Sequence, residues 1–337
     1  MAALRNDKRT VRMKKTIAIV AGGDSSELEV SLKSAQGLYS FIDKERYILY
    51  IAIIKHDGWY VVLPGGEHTP VDKNDFSFKE NGITKHFDFA YITIHGTPGE
   101  NGILQGYFDL IGMPHSTCST LVSALTFNKF MCNHYLRGFG VRIADSILLR
   151  KGQTMADDEL ANRLGLPVFV KPNDGGSSFG VTKVKEKEGL QPAIEKAFTE
   201  GCEVVVEQFI AGTEVTCGCY KVKGKEVIFP LTEVVSKNEF FDFNAKYNGE
   251  SDEITPARIS ADLTEKVQRT TSEIYDTLGA KGIIRVDYII PEDGNPVLLE
   301  INTTPGMTAT SFIPQQIRAA GLNIKDVMAD IIENELN

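Results

Sequence analysis

The sequence has no apolar run approaching the roughly 20 residues that a membrane span requires. It has no basic block either: 36 Lys and Arg against 45 Asp and Glu leave a net charge of −9. That balance argues against non-specific nucleic-acid binding and against an anionic membrane surface, although a local basic pocket for phosphate stays possible. The five cysteines, Cys118, Cys132, Cys202, Cys217 and Cys219, are odd in number and form no CxxC pair. Buried, reduced thiols in a cytoplasmic protein are therefore expected. The basic start, Met1 to Lys15, meets only the short apolar run Ile17–Ala21 before the polar Gly22-Gly23-Asp24-Ser25, whereas a signal peptide is expected to carry a longer apolar region and a small-residue cleavage site. Residues 1–12 are expected to be a disordered leader, with Met13 as an alternative start. Internal repeats and low-complexity tracts are absent, as are the GxxxxGK[ST] and GxGxxG phosphate motifs.

What is present is a globular composition, 42% hydrophobic and 24% charged over 337 residues, long enough for two or three packed units. Strand Thr16–Ala21, helix Val30–Phe41, strand Ile48–Ile54 and strand Tyr91–Ile94 predict an open parallel α/β sheet over 13–118. Ligands bind such sheets beyond the carboxyl ends of the strands, where Gly22-Gly23 and His95-Gly96 fall. A central unit, 119–212, contains strand Val168–Lys171, a loop Pro172–Gly180, and strands Val181–Val184 and Val204–Phe209. A last unit, 213–337, contains strands Val215–Lys221 and Val227–Leu231. A polar connection over 236–254 follows, with Phe240, Phe241, Phe243 and Tyr247 in no regular period, and it reads as a mobile lid. Helix Asp262–Leu278 shows Leu263, Val267, Ile274 and Leu278 on one face, with Asp262 and Glu265 as a capping box and Gly279 as its stop. A final helix carries Ile324, Val327, Met328, Ile331 and Ile332 after an Asn323 cap.

The segment Ile283–Asn302 carries the most chemistry. Two strands flank the turn Pro291-Glu292-Asp293-Gly294-Asn295-Pro296, which predicts a hairpin. Pairing Ile290 with Val297 would set Asp287 opposite Glu300 and Arg285 opposite Asn302. Facing carboxylates repel unless a cation lies between them. Hard oxygen donors without His or Cys suit Mg²⁺ or Mn²⁺ completed by substrate phosphate. The plain alternative is a solvated polar face on which Arg285 pairs with a carboxylate. The loop Lys171-Pro172-Asn173-Asp174-Gly175-Gly176-Ser177-Ser178-Phe179-Gly180 reads either as a phosphate cradle with Lys171 as a point charge or as an ordinary turn. Glu207-Gln208-Phe209-Ile210 reads either as an adenine edge or as a plain strand end.

In order and spacing these pieces resemble the D-alanine–D-alanine ligase family of ATP-grasp enzymes, from Met13 to the C-terminus. The resemblance rests on Gly22-Gly23-Asp24-Ser25-Ser26-Glu27-Leu28-Glu29-Val30-Ser31-Leu32 and on His95-Gly96-Thr97-Pro98-Gly99-Glu100-Asn101-Gly102 with Leu104-Gln105-Gly106. It rests also on Gly165 to Pro172, on Arg285-Val286-Asp287, and on Glu300-Ile301-Asn302-Thr303-Thr304-Pro305-Gly306-Met307-Thr308. It implies an ATP-grasp fold, α/β at first and α+β in the later units. It implies ligation of two D-alanine molecules through an acyl phosphate, with release of ADP and phosphate, for peptidoglycan synthesis. It also implies a cytoplasmic homodimer.

By that resemblance Asp287, Glu300 and Asn302 hold two Mg²⁺ or Mn²⁺ ions, and Lys129 and Lys171 contact the α- and β-phosphates. Ser178 and Lys246 also contact ATP, Glu207 with the backbone of Gln208 and Ile210 holds adenine, and Glu214 holds the ribose. Glu27 binds the first D-alanine's ammonium and His95 lies at the substrate, while Ser311 and the Phe312 backbone bind the second carboxylate. Arg285 and the Gly306 N–H stabilise the tetrahedral oxyanion. Tyr247, Glu27 and Ser177 form a hydrogen-bonded trio, and Tyr247 favours an amine as the second nucleophile. The chain departs from the family's pattern at Leu28, Gly175, Gln208, Phe241 and Phe243, and at Pro114-His115-Ser116-Thr117-Cys118. The competing readings are an ATP-grasp ligase for another acid or acceptor, D-lactate included, a non-catalytic nucleotide-binding module, and a Rossmann-type oxidoreductase.

Overall fold

The computed structural model describes residues 14–25, 27–176, 179–236 and 251–336. The first sheet has seven strands in the order Ile83–Lys85, Ser77–Glu80, His68–Asp72, Gly58–Val62, Tyr47–Lys55, Lys15–Gly22, Phe89–Ile92. Its last three strands are mutually parallel, as expected. Lys15–Gly22 lies between two neighbours and is buried on both faces, which is why Ile17 to Ala21 is an unbroken apolar run. Ile17 and Ile19 pack with Ala35 and Leu38 of helix Leu28–Phe41, and Ala18 and Val20 pack on the other face with Leu104 and Phe108 of helix Ile103–Ile111. The four antiparallel strands over 58–85 extend this sheet beyond the parallel arrangement expected. They are three to five residues long, too short to show a period in the sequence.

A second, antiparallel sheet runs Thr182–Val184, Val168–Pro172, Glu203–Gln208, Ser146–Arg150. Helices Asp157–Leu164 and Leu190–Ala197 bury Leu160, Leu164, Leu190 and Ile194 against it. The third sheet runs Ser251–Ile254, Thr232–Ser236, Thr213–Val222, Ile284–Ile290, Val297–Asn302, with Lys225–Ile228 also paired to Thr213–Val222. Helix Ala261–Leu278 packs on it through Val267, Ile274 and Leu278.

Four expectations are corrected. Ile289, not Ile290, pairs with Val297, and a bulge at Asp287/Tyr288 restores the expected phase, so that Asp287 faces Glu300 and Arg285 faces Asn302. One extra residue on the second strand, Leu299, absorbs the shift. The helix cap is Ser260, whose hydroxyl accepts from the Leu263 N–H, rather than Asp262, which lies inside the first turn. Cys118, Cys132, Cys217 and Cys219 are buried free thiols, but Cys202, also free, is exposed. The ends of the 236–254 connection are strands, paired from Glu233–Ile254 to Ser236–Ser251. Residues 237–250, where the lid was expected, lie outside the described residues, as does the leader. Gly279 does end its helix in the left-handed conformation, and Asn323 Oδ1 accepts from the Lys325 N–H at the start of the final helix. Among the described residues no helix is long and apolar enough to cross a membrane.

Candidate active site

The three sheets enclose one cavity of about 1230 Å³. Its wall contains Glu27, His95, Lys129, Lys171, Glu207, Gln208, Ile210, Glu214, Arg285, Asp287, Glu300, Asn302, Gly306, Ser311 and Phe312, which are all the candidate residues that the structure describes. Ser177, Ser178, Lys246 and Tyr247 lie outside the described residues.

The hairpin face is built as its alternation requires. Arg285 grips Asp287 with two hydrogen bonds, Nε to Oδ1 at 2.9 Å and Nη2 to Oδ2 at 2.7 Å. Asn302 Nδ2 donates to Asp287 Oδ2 at 3.1 Å, and Thr216 Oγ1 donates to Oδ1 at 2.5 Å. Thr216 faces Asp287 from the neighbouring strand, a cross-strand partner that no local pattern reveals. A carboxylate has about four lone-pair directions, and these four donors use them. A cation at Asp287 must therefore displace one donor. The plain alternative reading, an Arg285–carboxylate pair, is what this face contains. Burial alone would lower the Arg285 pKa, but Asp287, Glu300 and Glu100 together hold it above the ordinary arginine value. Glu300 lies 3.5 Å from Lys129 Nζ. Among the described residues no group of three or more His, Cys, Asp or Glu forms a metal-ligand cluster, so the candidate set depends on the Asn302 amide as its third donor.

The glycine loop is placed by a network around the start of helix Lys129–Arg137. Lys129 Nζ donates to the Gly175 carbonyl at 2.5 Å, and the Phe130 N–H donates to Asn173 Oδ1 at 2.9 Å. Asn173 Nδ2 and Asn128 Nδ2 both donate to Glu203 Oε2. The loop then passes so close to Glu27 that a Cβ on Gly176 would lie 2.4 Å from Glu27 Oε2, so any larger residue there would push the Glu27 carboxylate aside. Lys171 Nζ donates to Glu207 Oε1 at 2.8 Å across adjacent antiparallel strands. The Gln208 N–H is committed to the Asp145 carbonyl at 2.8 Å. Phe169, Phe179 and Phe209 supply apolar wall at this end, and Lys183 Nζ lies 3.8 Å above the Phe209 ring.

At the opposite end Ser34 Oγ lies 3.4 Å from His95 Nε2 and accepts from the Met307 N–H at 3.3 Å. Burial lowers the His95 pKa despite the nearby Glu27 carboxylate, so the ring is neutral at pH 7. Ser311 caps helix Phe312–Ala319, and its Oγ accepts from the Thr308 N–H at 3.1 Å. Arg285 lies 5.2 Å from the centre of the Phe312 ring.

Three features, two in this wall and one buried behind it, carry no assignment in the sequence reading. Glu100 accepts from the Gly96 N–H at 2.7 Å, and its pKa is pushed up to about 8 by burial and by Glu27. Its place in the His95–Gly102 motif was its only signal. Thr304 Oγ1 is buried with no hydrogen-bond partner among the described residues. Gln316 is fully buried and accepts from the Gly218 N–H while donating to the Thr216 carbonyl and Thr232 Oγ1. It ties the helix behind Ser311 to the strand behind Asp287.

Comparison with known proteins adds an independent finding. The family model described as the D-ala D-ala ligase N-terminus matches residues 16–118, and that of the D-ala D-ala ligase C-terminus matches 135–333. The chain is 77% identical over 324 residues to a D-alanine–D-alanine ligase of Parabacteroides distasonis, covering 96% of this chain and 98% of that one. Among solved structures, the VanG D-Ala:D-Ser ligase from Enterococcus faecalis superposes with a TM-score of 0.86 at 32% identity, covering 96% and 99% of the two chains. The D-alanine–D-alanine ligase from Bacillus anthracis complexed with ATP superposes with a TM-score of 0.76 at 32% identity, covering 96% and 97%.

Proposed function

Because the chain belongs to the D-alanine–D-alanine ligase family, we propose that its cavity joins two D-alanine molecules at the expense of ATP, with the residues above in the following roles. The observation that carries the assignment is the convergence of two lysines, two carboxylates and an amide on one cavity.

The first D-alanine carboxylate attacks the γ-phosphorus of ATP, the bond to the bridging oxygen breaks, and ADP leaves. The acyl phosphate then receives the amine of the second D-alanine, and inorganic phosphate leaves. The attacking carboxylate and the ATP phosphates are both anionic, so positioned cations dominate the barrier of the first step. Lys129 and Lys171 neutralise the α- and β-phosphates beside the glycine loop, and Ser178 is assigned to ATP by resemblance alone. Glu207, the Gln208 carbonyl and Ile210 orient adenine between the phenylalanines, and Glu214 holds the ribose. The donor set of Asp287, Glu300 and Asn302 offers hard oxygen ligands on paired strands, which fits a divalent ion that takes over from Arg285 and Lys129 in balancing the two carboxylates. Bound there, Mg²⁺ or Mn²⁺ would supply charge neutralisation to the transferring phosphoryl group.

When Arg285 is displaced from Asp287, its guanidinium is released toward the reacting carbonyl, where it acts with the Gly306 N–H as an oxyanion donor. Glu27 orients the ammonium of the first substrate beside neutral His95. Ser311 and the Phe312 N–H take the second carboxylate at a helix N-terminus. Lys246, Tyr247 and Ser177 are assigned by resemblance alone, as a closing loop over 236–254 that excludes water from the acyl phosphate. Units over 13–118, 119–212 and 213–337, a homodimer and a cytoplasmic site of action, where ATP is supplied, complete the reading.

The test is phosphate release with ATP, Mg²⁺ and single amino acids, coupled to product identification. D-Alanine should drive release and yield D-alanyl-D-alanine, whereas L-alanine should not. Equal release with both would refute the substrate assignment. The likeness to a D-Ala:D-Ser ligase makes D-serine and D-lactate the informative alternative acceptors.

A further inference from the structure

We propose that Glu253 is the carboxylate that receives the ammonium group of the acceptor amino acid, and that Gln315 holds it in place for that purpose. The inference rests on the reading above, in which the second substrate's carboxylate lies at Ser311.

The geometry links the two groups through one turn. Ser311 caps helix Phe312–Ala319, and Gln315 lies in the first turns of that helix, its N–H donating to the Ser311 carbonyl at 3.2 Å. The Gln315 side-chain amide leaves the helix in two directions. It donates to the Thr310 carbonyl at 2.7 Å and to Glu253 Oε2 at 2.5 Å. Glu253 comes from strand Ser251–Ile254 on the sheet edge, opposite Val234, and it lines the same cavity as Ser311, Phe312 and Arg285. An anion site and a carboxylate are thus held at a defined separation by a single side chain. A zwitterionic amino acid presents the complementary pair of charges.

The charge pattern says what Glu253 lacks. Among the described residues its hydrogen-bond partner is a neutral amide. The cation that it feels electrostatically, Arg285, is engaged by both oxygens of Asp287 here and turns to the reacting carbonyl in the mechanism above, so in neither state is it committed to Glu253. A half-buried carboxylate without its own cation is costly. Burial accordingly pushes the Glu253 pKa up, against the opposing effects of Gln315 and Arg285. The nearby Glu233 differs: Arg258 grips it with two guanidinium nitrogens, Nε and Nη2, and its pKa is lowered. A substrate ammonium would supply the cation that Glu253 lacks among the described residues. The pocket then selects an amine-bearing acceptor over a hydroxy acid, which brings no positive charge.

The experiment measures kcat and the separate KM values of the two D-alanine sites from biphasic saturation, and the dipeptide-to-depsipeptide ratio with D-lactate as competitor. Wild type, Glu253→Gln and Gln315→Leu are compared. Loss of a charge-assisted contact predicts that Glu253→Gln raises the acceptor KM about 10- to 100-fold and lowers the dipeptide-to-depsipeptide ratio by a similar factor. The KM for ATP and for the first D-alanine should stay unchanged. Gln315→Leu should move both readouts the same way by a smaller factor, because the carboxylate remains but is no longer held. Glu253→Asp, which keeps the charge, should retain the amine preference and is the decisive variant if the neutral one fails to fold. An unchanged acceptor KM and ratio in folded Glu253→Gln, or loss of amine preference in Glu253→Asp, would overturn the assignment. A wild-type enzyme that forms no dipeptide would instead remove the reading on which it rests.

Discussion

Replacing Gly37 by alanine should damage catalysis far more than stability. Gly37 lies on helix Leu28–Phe41, where the helix backbone meets the turn that follows Asn302. A Cβ there would lie 2.0 Å from the Met307 carbonyl oxygen and 3.1 Å from its carbon. An unstrained carbon–oxygen approach needs about 3.3 Å, so helix and turn must separate by about 1.3 Å. Both groups are backbone and cannot rotate away. The separation would also break the Met307 N–H bond to Ser34, already 3.3 Å long and one turn away on the same helix. Overpacking costs about 1–3 kcal/mol, but alanine regains roughly 0.5–1 kcal/mol of helix propensity. With the lost Met307–Ser34 hydrogen bond, worth about 0.5–1.5 kcal/mol, the net cost in stability is about 1–3 kcal/mol. The rate effect is different, because Gly306, the oxyanion donor proposed above, is Met307's chain neighbour, and a 1 Å misplacement of a transition-state donor costs about 10²-fold. Steady-state kinetics should show kcat reduced by about two orders of magnitude, with the melting temperature within a few degrees of wild type. Gly58→Ala is the control, since a Cβ there meets nothing within 4 Å. A Gly37→Ala enzyme with kcat within twofold of wild type would refute the link between helix position and the Gly306 donor.

Two further outcomes are expected. The Glu100 pKa is raised from 4.5 to about 8 on folding, so the native chain binds more protons than the unfolded one across that window, and Glu100 makes stability fall as pH rises through it. Glu100→Gln, fixed in the neutral form, should flatten the curve of melting temperature against pH between about 5 and 9 and exceed wild type at the alkaline end; parallel curves would show that Glu100 ionises normally. Gln316→Leu keeps side-chain volume but strands the buried Gly218 N–H and Thr216 carbonyl. At about 1–3 kcal/mol for each unpaired group, the melting temperature should fall by roughly 5–10 °C, and a fall of less than about 2 °C in calorimetry would contradict the buried network.

How much of this was legible depended on the range of each interaction. The Ile283–Asn302 hairpin was readable because alternation and a turn rich in Pro, Asp, Gly and Asn are local signals. Its pairing of Asp287 with Glu300 survived a mistaken Ile290–Val297 register only because a bulge shifts the phase back, and no pattern in the strands announces that bulge. The parallel strands were visible as apolar runs, whereas the short strands over 58–85 exist through pairing with each other and with the sheet edge. Ser260 was missed because Asp262 and Glu265 offer the same chemistry two residues on. Thr216, Gln316 and Glu253 reach their partners from other elements, at sequence separations of 71, 98 and 62. The candidate ligands were found by motif and spacing, but only the structure showed that four donors already fill Asp287 and that a cation must displace one of them.

The most direct measurement is Mn²⁺ binding, followed by electron paramagnetic resonance, in the presence of a non-hydrolysable ATP analogue. Wild type should bind Mn²⁺ tightly, and folded Glu300→Ala and Asp287→Asn should each lose at least about tenfold in affinity, in line with the loss of one charged ligand. Equal Mn²⁺ affinity in wild type and both variants would contradict the account.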